Sequence, residues 1–261
     1  MKKFAAFGVA PVSLCLGLTL AACGGIAIDD DGTDANASVA QAGQVEYLLT
    51  APVESSDPAA AATAVAASPK FPAGCATGVK DPTQPMATIT LTNCTGPFGL
   101  LRWSGTLSAT YSKNADGTLN VKATSTNMTV NGKPAQFSMD RTITVDSATQ
   151  RTVKGMSTWA RQNADGETVT HSNAWTAVVD TTTRCRTVNG AGTTTVGTKS
   201  YATSSKDYKI CRSADSDSCP SGTLTHTVTP GQAMVSVTFN GTNTAVLSGP
   251  NGTRSVVIFC Q

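Results

Sequence analysis

The chain has 261 residues; 14% are charged, and the formal net charge is +2. So neutral a balance leaves no electrostatic footprint for nucleic acid. Aromatic residues make up 5%, so the core must be built from Val, Ala, Leu, Met and a few rings. Threonine is abundant through the second half beside many Gly and Asn. Thr fits a pleated, half-wet surface and is poor in helix interiors, which makes this the composition of a secreted β-protein.

Met1-Lys2-Lys3 opens the chain, an apolar run extends from Phe4 to Leu20, and Leu20-Ala21-Ala22-Cys23 closes it. A basic start, a short apolar segment and small residues before a cut site are the parts of a secretory signal peptide. The run is broken by Gly8, Pro11 and Gly17 and is too short for a comfortable membrane span. Its ending resembles the bacterial lipobox, Leu-(Ala/Ser)-(Gly/Ala)-Cys. The resemblance implies cleavage after Ala22, a thioether-linked diacylglycerol on Cys23, and acylation of the new amino terminus by a fatty acid such as palmitate. Gly24 in place of an Asp implies, by the same resemblance, delivery to the outer membrane. Several acyl chains, at about 0.8 kcal/mol per buried CH2, anchor far more firmly than one. Residues 1–22 are thus read as a signal peptide, and the expected location is the bacterial cell envelope, at the membrane through a lipid anchor.

Residues 23–72 read as a lipidated tether, largely disordered. Asp29-Asp30-Asp31-Gly32 with Asp34 is an acidic, solvated run lacking the alternating ligands of a calcium loop, and Ala, Ser and Pro dominate the rest of the segment. One piece has helix punctuation: Asp57 as N-cap, Pro58 at the first position, Ala59 to Ala67 running on, and Pro69 closing it. Val45 to Leu49 is a second candidate short element.

Residues 73–261 read as a β-rich domain. From Ala87 onward the period is two. Trp103, Leu107, Ala109 and Tyr111 share one face, and Leu119, Val121 and Ala123 resume it after the turn Asn114-Ala115-Asp116-Gly117. At Ser125-Thr126 the parity flips to Met128 and Val130, which predicts a bulge. Asn131-Gly132 is the strongest hairpin signal. Ala135, Phe137, Met139, Ile143 and Val145 continue on one parity, interrupted by Arg141. Val153 and Trp159 lead to Asn163-Ala164-Asp165-Gly166, the same tetrapeptide turn again, and Val169, Trp175, Ala177 and Val179 return. Asn189-Gly190, Pro230-Gly231, Asn240-Gly241 and Asn251-Gly252 are read as further turns. The end, Thr253 to Cys260, reads as a strand buried on both faces or swapped across a sheet. The fold class is therefore all-β: ten to twelve antiparallel strands, roughly, in a meander that forms a curved sheet or sandwich.

Cys94-Thr95-Gly96-Pro97-Phe98-Gly99, Arg102 and Ser104-Gly105-Thr106-Leu107, with the later Cys219-Pro220-Ser221-Gly222-Thr223-Leu224-Thr225, resemble a pattern in poorly characterised β-rich bacterial lipoproteins. The similarity spans about Cys75 to Cys260. The late Cys falls at Cys260 here, whereas those chains place it near the position of Gly241. The resemblance implies no activity.

Six cysteines remain once Cys15, which leaves with the signal, and Cys23 are set aside: Cys75, Cys94, Cys185, Cys211, Cys219 and Cys260. An even count in an exported chain points to disulfides, with 15 connectivities open if all pair. Cys75 and Cys94 flank the Asp81-Pro82 turn, Cys185 and Cys211 flank the Asn189-Gly190 region, and Cys219 with Cys260 would tie the last strands. Cys211 with Cys219 is the competing link. Zinc needs four ligands at tight spacings, and there is no Cys-x-x-Cys pair and only His171 and His226 to assist.

His171 has the parity of Val169 and Trp175, and His226 that of Leu224 and Val228. Either could serve a serine, but no Gly-x-Ser-x-Gly elbow appears and the Asp residues cluster at turns. Trp103, Trp159 and Trp175 are anchors of an aromatic-poor core before they are a ligand groove. Of the glutamates, Glu46 and Glu54 fall in the tether and only Glu167 in the domain, so no carboxylate pair is assembled. The expectation is a non-enzymatic lipoprotein acting as an envelope structural or interaction module, with no catalytic residue, metal or cofactor, and an envelope protein or hydrophobic ligand as partner. A carrier of a lipid-like ligand is the first alternative, and a hydrolase centred on His171 or His226 the second.

Overall fold

A computed structural model describes residues 45–46, 48–50, 52–67, 74–95, 102–183, 185–211, 219–229, 233–249 and 252–257. Two helical pieces come first: residues 45–46 and 48–50, then Pro58–Ala67. Asp57 caps the second, its Oδ1 accepting from the Ala60 amide at 2.7 Å, with Pro58 at the first position as its punctuation predicts.

Thirteen strands follow among the described residues: β1 (Ala76–Lys80), β2 (Met86–Thr95), β3 (Arg102–Lys113), β4 (Leu119–Val130), β5 (Lys133–Val145), β6 (Gln150–Gln162) and β7 (Thr168–Asp180). The remainder are β8 (Cys185–Val196), β9 (Lys199–Cys211), β10 (Ser221–Thr229), β11 (Ala233–Asn240), β12 (Thr244–Gly249) and β13 (Gly252–Val257). All lie in one antiparallel sheet in strict sequence order. The single sheet decides between curved sheet and sandwich. Trp103 on β3 and Trp159 on β6 bring their rings to 5.9 Å although two strands lie between them. Neighbouring strands are about 4.8 Å apart, so a flat sheet would hold those rings much farther away. The sheet curls.

The inward parity is the apolar one. Trp103, Leu107, Ala109, Tyr111, Leu119, Val121 and Ala123 are all buried. The parity flip in β4 is a bulge, with the β4–β5 register slipping between Thr124 and Thr129 and Asn127 at φ 51°. Asn131 and Gly132 both have positive φ, 50° and 76°, as a two-residue hairpin turn between right-twisted strands requires. The two Asn-Ala-Asp-Gly turns share one geometry, with the glycine amide bonding back to the asparagine carbonyl at 3.0 Å and 3.2 Å.

Four expectations need correction. The first is the largest: residues 45–67 read as part of a tether with two short ordered pieces, and instead pack into the domain. Val45, Leu49, Val53, Ala61, Ala62 and Val65 are buried in the same core as the inward residues of β2 to β8. Their apolar side chains are sparse but periodic, and the curled sheet offers them a face they cannot find alone. Second, Asn189-Gly190 is no hairpin tip. It lies within β8 at a bulge against β9, and the hairpin turns at residues 197–198. A Cβ on Gly190 would meet the Trp175 Cβ at 2.3 Å, so this glycine answers a close approach. Third, the last strand is not buried on both faces: β13 is an edge strand with Thr253 and Ser255 exposed. Fourth, β1, which precedes the period-two pattern and is too short to declare itself in sequence, takes the count among the described residues to thirteen, above the roughly ten to twelve expected.

Two of the expected disulfides are formed, Cys75–Cys94 and Cys185–Cys211. Cys219 is also disulfide-bonded, and the competing Cys211–Cys219 link is excluded because Cys211 is already paired. Cys260 lies outside the described residues, as do the signal segment, Cys23, the acidic run, and Gly96 to Leu101 of the turn that carries the lipoprotein resemblance.

Candidate functional site

Three cross-strand rows on the inner face build a polar island inside the apolar core. The first runs Arg141, Gly155, Trp175, Gly190 across β5 to β8; the second Met139, Ser157, Asn173, Gly192; the third Phe137, Trp159, His171, Thr194. Strand alternation brings these side chains to one face, and the glycines leave room between them. Gly155 has no side chain to block Arg141, whose guanidinium carbon stands 4.0 Å from the centroid of the Trp175 ring, a cation–π contact in a desolvated setting. The same guanidinium donates to the carbonyls of Gly155 at 2.8 Å and Trp175 at 3.2 Å.

The island is closed from above by Glu46, which is 0% exposed like Arg141. Three donors converge on its Oε1: Arg141 Nη2 at 2.5 Å, Asn173 Nδ2 at 3.2 Å, and the Ser157 hydroxyl. Asn173 orients the group, since its Oδ1 accepts from Arg141 at 2.9 Å while its amide nitrogen faces the carboxylate and His171. A buried charge is tolerated only when paired and hydrogen-bonded; here the two charges pair with each other, while Glu46 Oε2 and Arg141 Nε are left without a hydrogen bond. Burial pushes the Arg141 pKa down, and the adjacent Glu46 opposes that shift.

His171 completes the island. Its Nε2 faces the Asn173 amide at 3.4 Å and its Nδ1 lies 2.8 Å from Thr194 Oγ1. An amide NH2 can only donate, so the hydrogen-bond network assigns the proton to Nδ1, which donates to Thr194. Burial lowers its pKa to about 4, so the ring is neutral at pH 7.

Two further contacts hold the same segment. The Tyr111 hydroxyl donates to the Leu49 carbonyl at 3.0 Å, and Arg151 donates to the carbonyls of Val53 at 3.3 Å and Glu54 at 2.9 Å. Residues 45–54 are thus held by a carboxylate at one end and backbone carbonyls at the other.

Chemically the island is an anion cradle more than an acid–base relay. Ser157 does not bond His171; Asn173 stands between them, so the nucleophile–base contact of a triad is missing. Ser157 is 2% exposed. His226 lies on β10 opposite Val235 and Thr203, away from the island, and its side chain is outside the described residues. Trp103 and Trp159 are core anchors, while Trp175 is half-buried beneath Arg141.

No family model matches the chain. No curated protein and no solved structure matches it either. Among the described residues no group of His, Cys, Asp and Glu could hold a metal ion, and no helix is long and apolar enough to cross a membrane.

Sequence reasoning misses the pairing at the centre of this island. Arg141 is legible as a charge on an apolar parity, and such a residue demands a partner. Glu46, 95 residues earlier, falls in the segment that reads as a tether. The inward Arg141 is the signal that some carboxylate must be inside; it does not say which.

Proposed function

We propose that this chain is a lipid-anchored, non-catalytic module of the bacterial cell envelope, attached through Cys23, which works by presenting the outer face of its sheet. The observation that carries this reading is the consumed state of the island. Ser157, His171 and Glu46 are all buried and spend their hydrogen bonds on one another and on Asn173 and Thr194. The same geometry weighs against a lipid carrier, because Val45, Leu49, Val53, Ala61, Ala62 and Val65 pack into one buried core with the inner residues of the sheet.

The outer face carries a row of hydroxyls, flanked by the exposed Lys122–Asp140 ion pair and Lys154. Ser108, Thr124, Ser138, Thr158, Ser172 and Thr193 stand directly opposite one another across β3 to β8, and the last five are exposed. Such a row stays wet and tolerates a contact surface without aggregating.

Metabolic labelling with a fatty acid and detergent partition test the anchor. Both are expected for the native chain, and Cys23→Ala abolishes both. Labelling that survives the substitution overturns the attachment. Hydrolysis of a generic ester, peptide or glycoside, lost in His171→Ala, overturns the non-catalytic reading.

A further inference from the structure

The structure assigns a carboxylate-binding site to the inner face of β5 to β7, with Glu46 as its resident intramolecular ligand. Nothing in this inference depends on the lipid anchor. Three donors of different chemistry, a guanidinium, a hydroxyl and an amide, come from three adjacent strands and meet on one oxygen. Arg141 is itself braced by two strand carbonyls and the Trp175 ring. Asn173 is oriented by the guanidinium and His171. The donors are therefore positioned by the sheet and not by the ligand, which is the condition for a receptor to survive removal of its occupant. The occupant, in contrast, arrives on a separate segment, anchored by the buried Val45, Leu49 and Val53 and by backbone carbonyls that accept from Tyr111 and Arg151.

The second carboxylate oxygen, Glu46 Oε2, is buried and makes no hydrogen bond. Recognition thus uses one oxygen of the carboxylate, and the remainder of the ligand meets apolar surroundings. The class of ligand that fits is a small or apolar-backed monocarboxylate. A sulfate or phosphate brings several further oxygens, more than Arg141 Nε, the unpaired donor on the same guanidinium, could satisfy, and the rest would be desolvated without compensation.

Emptying the cradle in the full chain tests the assignment. In Glu46→Ala the resident carboxylate is gone, and formate and acetate are the probes. Formate is expected to raise the thermal midpoint of Glu46→Ala saturably, by several degrees, as a ligand of the native state does. Acetate should act similarly, and chloride and sulfate at matched ionic strength should not. The native chain and the double variant Glu46→Ala/Arg141→Met should both be unresponsive, the first because its cradle is filled and the second because the cation is gone. An equal response to chloride or sulfate, an equal response in either control, or no response in Glu46→Ala each overturns the site. Should Glu46→Ala fail to fold in plain buffer, refolding from urea is followed across a formate titration. Recovery of the native near-ultraviolet circular dichroism supports the site, and no recovery at saturating formate overturns it.

Discussion

At the scale of single residues, His171 couples the island to pH. Its ring is neutral and buried, with a folded-state pKa of about 4 against an ordinary value of 6.5. Between those values the unfolded chain binds the proton and the folded chain does not, so stability falls as pH falls through this window and is complete above it. A shift of this size corresponds to about 3 kcal/mol, to order of magnitude, lost in full below pH 4. Urea unfolding of the native chain and of His171→Gln across pH 4 to 7 measures the difference. The native chain is expected to lose about 3 kcal/mol more than the variant over that range. The carboxylates titrate in both and cancel, so parallel curves would refute the assignment of this acid sensitivity to His171. Whether His171 faced inward was readable from the parity of Val169 and Trp175. Asn173, two residues on in the same strand, shares that parity, but that the other partner is Thr194 was not readable, because a cross-strand neighbour is set by register and not by proximity in sequence.

At the scale of elements, the island depends on a β6 that lets Arg141 through. Gly155 has φ 139°, and a Cβ there would stand 2.2 Å from the Asp140 carbonyl oxygen and 2.8 Å from the Arg141 Cα. Backbone cannot move aside as a flexible side chain can. Gly155→Ala is expected to cost about 3 kcal/mol or more, from strain and from displacement of Arg141. Gly117→Ala is the control: its φ is also positive, 84°, but nothing lies within 4 Å of the added carbon, so only the conformational penalty of about 1–2 kcal/mol applies. Thermal or urea denaturation ranks the two, and equal costs would show that the close approach at Gly155 is unimportant. The hairpins between strands were largely legible from sequence. Asn-Gly and Asn-Ala-Asp-Gly act locally, through positive φ and bonds within the turn. Asn189-Gly190 carried the same local signature and means something else, because Trp175 across the sheet needs the space. The disulfides are element-scale staples of the same sheet. Cys185 and Cys211 are register partners of β8 and β9, and Cys75–Cys94 ties the edge of the sheet at β1 and β2. Each closes a loop worth about 3 kcal/mol in the chain-entropy model.

At the scale of the molecule, the sheet has two faces with different fates. The inner face packs with the described residues of 45–67 in one core, while the outer face carries a row of hydroxyls among exposed charges. The covering segment is a structural member of the domain. Val45, Leu49, Val53 and Val65 are each 0% exposed. At about 1.5–3 kcal/mol for each such side chain, their burial is comparable to the net stability of a whole domain. Leu49→Ala is accordingly expected to destabilise by about 2–5 kcal/mol in urea unfolding, with the cooperative transition of the whole sheet shifting together. A residue in a disordered tether would give no measurable change, and that outcome would return residues 45–54 to the tether.

The amino-acid sequence by itself determined the all-β class, the meander order, the bulge in β4, the helix at Pro58–Ala67 with its Asp57 cap, and two cysteine pairings. These are properties of short range: alternation of side chains, turn chemistry, capping, and cysteines that neighbouring strands bring together. Only the tertiary structure decided that the strands form one curled sheet, that the segment ahead of the strands fills it, and that Glu46 meets Arg141. Those depend on which apolar surface lies free once the sheet has curled, and on a charge needing its counterpart in the one place water cannot reach. Alternation along a strand says that Arg141 points inward. The partner it meets there is set by a segment 95 residues away in the chain.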